Sequence, residues 1–135
     1  MKIDFEGCSI ILIKDNKVLM QLRDNKKGIF YPNYWCIPGG KLEKGENSET
    51  AIIRELKEET GYISTKPFHF YTDTYKTKDG LIIRRNIYVE KHDGKQQISC
   101  FEGQKMEFKT VDEISKLKIF PKQKSIILSA LKMHL

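Results

Sequence analysis

The chain has 135 residues, 39% hydrophobic and 31% charged, with a formal net charge of +6. That balance excludes a disordered chain, and the length supports a core without disulfide staples. The longest aliphatic run, Ile10 to Ile13, is far too short to span a membrane. One domain over residues 1–135 is expected. The excess of Lys and Arg suits a polyanionic partner or a solvated lysine surface, and the lysines are spread along the whole chain.

In chain order, Ser9–Lys14 and Lys17–Arg23 read as strands around a turn at Asp15-Asn16. Asp24–Asn33 is polar, with Gly28 and Pro32, and reads as a loop. Trp35-Cys36-Ile37 is a short apolar strand that stops at Pro38-Gly39-Gly40. A helix fits Ser48–Thr60, with Asn47 as N-cap and Gly61 as terminator. Lys66–Lys76 and Leu81–Glu90 read as antiparallel strands with Asp79-Gly80 between them. A turn at His92-Asp93-Gly94 and a strand over Lys105–Thr110 follow. Val111–Leu117 reads as a short helix, and Pro121 fits the first turn of a last helix with Ile126, Ile127, Ala130 and Leu131 on one stripe. Mixed strands and helices with hairpins predict an α/β or α+β class with a mixed sheet. Cys8, Cys36 and Cys100 are odd in number and share no short spacing, which predicts structural thiols in a reducing compartment. Met1–Glu6 shows no secretory signal, so a cytoplasmic protein is expected.

The informative stretch is Gly40–Tyr62. Its helix presents Glu55, Glu58 and Glu59 at i, i+3 and i+4 on one face, with Ala51 and Ile52 close to that face. Three carboxylates beside a core repel one another and suffer desolvation. A divalent cation removes both problems, and all-oxygen ligation suits Mg²⁺ or Mn²⁺. The plain alternative is a helix with surface glutamates. Against it stand Gly39-Gly40, which permit close backbone approach to a ligand, and Glu46 with Arg54, which can brace the loop on the helix.

Gly40, Glu46, Arg54, Glu55, Glu58, Glu59 and Gly61, at these spacings, resemble the Nudix box. At roughly 7% usage per residue type, a chance match of the seven identities has odds on the order of 10⁻⁸ per starting position. Tyr62 departs from the aliphatic usual at the last position, a change of packing. Val18–Arg23, Trp35–Gly40 and Glu102-Gly103-Gln104 extend the resemblance, most closely to the MutT-like branch. It implies an α/β/α sandwich with a mixed sheet, and hydrolysis of a nucleoside diphosphate linked to another moiety. It further implies that Glu55, Glu58, Glu59 and the Gly39 carbonyl hold the metal, with Glu46 and Arg54 orienting them. Glu58 and Glu102 are the candidate general bases.

Arg23 ends a strand and can reach a substrate phosphate. Gln123 and Lys122 occupy the start of the last helix, where MutT-type proteins often read the base. Arg84 and Arg85 are adjacent in one strand, so one faces each side. Tyr31, Tyr34 and Trp35 can stack on a base or pack in the core. His69, His92 and His134 form no ligand spacing. The resulting expectation is a pyrophosphohydrolase acting on a nucleoside triphosphate or related nucleoside-diphosphate derivative. The alternatives are an RNA 5′-pyrophosphohydrolase and a non-catalytic nucleotide-sensing module. A small-molecule nucleotide partner, no membrane, and a monomer or homodimer complete the expectations.

Overall fold

The computed structural model describes residues 2–134; Met1, Leu135 and the His134 side chain lie outside the described set. Strand β1 (Phe5–Lys14) turns through Asp15 and Asn16, both with positive φ, into β2 (Lys17–Leu22). The two strands pair only near that turn, Ile13 opposite Val18 and Lys14 opposite Lys17. Beyond it they part, and the chain from 35 to 41 fills the wedge. There β3 (Trp35–Cys36) pairs with β2, and β4 (Gly39–Lys41) pairs antiparallel with β1. The expected stop at Pro38-Gly39-Gly40 is therefore a strand start. Gly39 is obligatory there, because a Cβ would stand 2.1 Å from the Cys8 carbonyl oxygen.

The far edge of β1 runs parallel to β6 (Ile82–Lys91) over Phe5–Ile13, and β6 pairs antiparallel with β5 (Phe68–Lys76). On the other flank β7 (Lys105–Lys109) pairs with β2. These pairings make one mixed seven-stranded sheet.

Period-two alternation sorts the side chains to two faces. Cys8, Ile10, Leu12, Leu19 and Tyr88 meet Ala51, Ile52 and Leu56 of helix α1 (Ser48–Thr60). Ile11, Ile13, Val18, Met20, Ile87 and Val89 meet α2 (Val111–Lys116) and α3 (Gln123–His134) through Ile114, Ile127, Ala130 and Leu131. The arrangement is the expected α/β/α sandwich. Tyr62, the departure from the box, is 1% exposed in the α1-side core, and its hydroxyl accepts from the Asp93 N–H.

The caps of α1 are those read from the sequence: the Asn47 side chain accepts from the Thr50 N–H, and Gly61 closes the helix at φ +79°. The last helix differs from expectation. It begins at Gln123, after a turn in which Lys122 has φ +69°, so Pro121 and Lys122 precede the helix. Among the described residues no helix is long and apolar enough to cross a membrane.

Candidate active site

Helix α1 delivers the box carboxylates with graded exposure. The side chain of Glu58 is 57% exposed and that of Glu55 16%, while Glu59 is 2% exposed as a residue. The gradient follows the helical wheel, since Glu59 shares its stripe with Ile52 and Leu56. Glu59 Oε2 accepts from the Gly39 N–H at 3.2 Å, and its Oε1 is buried without a hydrogen-bond partner. Glu102 stands against it. Burial, then the contact with Glu102, push the Glu59 carboxyl up to about 10. Burial also raises Glu55, opposed by Arg54.

Glu102 is far from α1 in sequence, and backbone contacts bring it in. The Ser99 and Phe101 N–H groups donate to the carbonyls of Thr60 and Glu59 at the end of α1. Gln21 Nε2 donates to the Glu102 carbonyl at 2.9 Å, and the Gln104 N–H donates to the Leu22 carbonyl. Gly103 closes the loop at φ +82°, where a Cβ would meet the Leu22 carbonyl oxygen at 2.6 Å.

Arg54 organises the outer side of the cluster. Its Nε and Nη2 donate to the two Glu46 oxygens at 2.7 and 2.9 Å, a forked pair. Nη1 donates to Glu55 at 3.0 Å and to Glu58 at 3.2 Å. Arg54 lies one residue before Glu55 on the helix, about 100° round the wheel, and the length of its side chain brings the guanidinium to the carboxylate face. The Arg54 contact holds Glu46 down at about 2, and the Glu46 fork raises Arg54. Gly40 makes room for Glu55: a Cβ there would stand 2.4 Å from the carboxyl carbon.

The carboxylates are thus divided, Glu55 and Glu58 toward Arg54 and Glu59 toward Gly39 and Glu102. Among the described residues no three His, Cys, Asp or Glu side chains are already gathered to hold a metal ion. The donor chemistry nevertheless fits a hard divalent cation: anionic oxygens, one buried and unpartnered, beside a glycine backbone.

The wedge between β1 and β2 opens into a cleft lined by Gly39, Gly40, Glu102, Gln21, Arg23, Cys36, Tyr75, Arg85, Phe120 and Gln123, among others. Of the sequence candidates, Gly39, Glu102, Arg23 and Gln123 line it, and Glu58 sits at the exposed edge of the carboxylate cluster. Arg23 is partly engaged, its Nε donating to the Phe30 carbonyl at 2.9 Å. Gln123 is buried, and its Oε1 accepts from the Ile37 N–H. The sequence reading left Arg84 and Arg85 undecided, and Arg85 is the cleft residue, forked onto Asp73 across β5 and β6. It missed Gln21, whose signal was a polar residue two positions after Leu19 on a core-facing row. Cys8 and Cys36 are buried free thiols, pushed up by burial to about 12 and about 11, so neither is a nucleophile.

A family model for the NUDIX domain matches residues 6–130. The chain belongs to the Nudix hydrolase family. An uncharacterized Nudix hydrolase of Bacillus subtilis, YvcI, is 32% identical over 116 residues, covering 82% of this chain and 69% of that one. An RNA pyrophosphohydrolase of Pelagibacter ubique is 37% identical over 106 residues, covering 70% of this chain and 60% of its own. The NUDIX domain of Shewanella oneidensis NrtR, solved with ADP ribose, shares the fold with a TM-score of 0.82 at 16% identity, over 100% of this chain and 91% of that one.

Proposed function

We propose that the protein is a Mg²⁺-dependent pyrophosphohydrolase, with Mn²⁺ as a possible substitute, cleaving a phosphoanhydride bond in a nucleoside triphosphate or related nucleoside-diphosphate derivative. The observation that carries this reading is the buried, unpartnered Glu59 oxygen facing Glu102. Such a pair is costly for a fold to keep, and a cation offsets the cost. The relatives' names support the substrate class, since an RNA 5′ end and ADP ribose both present a nucleoside joined to a phosphoanhydride.

Glu55, Glu58, Glu59 and the Gly39 carbonyl would hold the cation, and Glu46 with Arg54 orients them. Bound there, it supplies Lewis-acid charge at the phosphoryl group. Glu58 or Glu102 takes the proton of the attacking water. A water-oxygen bond to phosphorus forms in line as the anhydride P–O bond breaks, giving nucleoside monophosphate and pyrophosphate from a triphosphate. Arg23 and Gln123 contact the substrate from the cleft. The test is product release from a nucleotide panel with Mg²⁺ and with excess chelator. Turnover is expected with Mg²⁺ only; full turnover in chelator overturns the reading.

A further inference from the structure

One rim of the cleft carries aromatic rings that the reaction above does not use. Phe120, a lining residue, meets Tyr31 edge-on with centroids 4.7 Å apart, and Tyr31 meets Tyr34 at 5.1 Å. The Arg23 guanidinium lies 5.6 Å from the Phe120 centroid and Lys118 Nζ 4.4 Å from that of Tyr34. On the same loop Phe30 is 80% exposed.

The backbone beneath these rings is tied down. Arg23 Nε holds the Phe30 carbonyl, and Gln104 Nε2 donates to both the Arg23 carbonyl and Asn33 Oδ1. The Trp35 N–H donates to the Lys118 carbonyl and the Phe120 N–H to the Trp35 carbonyl, which stitches the two rim segments together. Tyr31 has φ +52°, a left-handed conformation that a tyrosine keeps only where its surroundings hold it. Core formation does not account for this rim, because Phe30 and Tyr31 stay exposed.

Aromatic faces interleaved with cations are what successive nucleobases stack on, with the cations facing the phosphates between them. We propose that this rim is a second base site, which stacks a nucleobase attached beyond the nucleotide held in the cleft. The substrates it favours then carry two bases. This rests on the function proposed above. Two sources share the chemistry: the next nucleotide of a 5′-phosphorylated RNA, and the far nucleoside of a dinucleoside polyphosphate.

The experiment compares kcat/KM for ATP, 5′-triphosphorylated ApA and diadenosine tetraphosphate in the wild type, Phe30→Ala and Lys118→Ala. Both substitutions are at exposed side chains, so folding is retained. The wild type is expected to favour at least one two-base substrate over ATP. Phe30→Ala and Lys118→Ala should lower that substrate by about tenfold while ATP stays within about twofold. The favoured substrate identifies the source. Equal treatment of the three substrates by the wild type overturns the proposal, as does an equal loss on all three in both variants. Calorimetric titration of ATP, 5′-triphosphorylated ApA and diadenosine tetraphosphate in chelator separates the two readings. A binding preference that Phe30→Ala abolishes, with no turnover in Mg²⁺, sustains the base site and removes only the reaction. No binding preference removes the base site.

Discussion

Glu59 gives the sharpest test of the site, because it sets folding against function. Its carboxyl is pushed up to about 10 from an ordinary 4.5, so the folded protein holds a proton that the unfolded chain releases. For an acid shifted upward, stability is therefore full below about 4.5 and falls as pH rises toward about 10. At pH 7 the separation from the unfolded value is roughly 2.5 units, which at about 1.4 kcal/mol per unit amounts to about 3 kcal/mol of lost stability. Glu59→Gln keeps an acceptor for the Gly39 N–H, gives the Glu102 carboxylate a donor, and carries no charge. In chelator at pH 7 the variant should be more stable than the wild type by up to about 3 kcal/mol, with the gap widening as pH rises and closing below about pH 4.5. With Mg²⁺ the order should reverse, since the cation binds the folded wild type more tightly. The assay is thermal or urea unfolding of both proteins in EDTA from pH 4 to 9, repeated in Mg²⁺. A Glu59→Gln protein less stable in EDTA at pH 8, or a difference independent of pH, would refute the account of a buried, cation-seeking carboxylate.

Two further outcomes follow from the geometry. Glu58→Gln is expected to lower kcat at least ~100-fold with an unchanged melting temperature, since the side chain is exposed and its loss removes charge from the transition-state clamp; near-normal kcat at saturating Mg²⁺ would remove Glu58 from that role. Arg54→Ala and Glu46→Ala should each lower the melting temperature measured without metal, Arg54→Ala more, because it also abandons Glu55, Glu58 and the Lys41 carbonyl. The double variant should lose less than the sum, and strict additivity would show that the two residues do not brace each other.

The sequence alone determined α1, its caps and the identity of its carboxylates. Those features are local. A helix repeats every 3.6 residues, so Glu55, Glu58 and Glu59 share a side whatever surrounds them, and Asn47 and Gly61 satisfy backbone groups a few positions away. Only the tertiary structure decided the rest. It parted the β1–β2 hairpin into a wedge, because Gly39 lets β4 pack against Cys8 and Ser9, where a Cβ would collide. It set Glu102 against Glu59 through bonds from Gln21 and from the 99–103 backbone, pairings that no spacing in the sequence announces. It turned Arg85 toward the cleft, because strand register across β1, β5 and β6 is a long-range choice that decides which face each side chain takes.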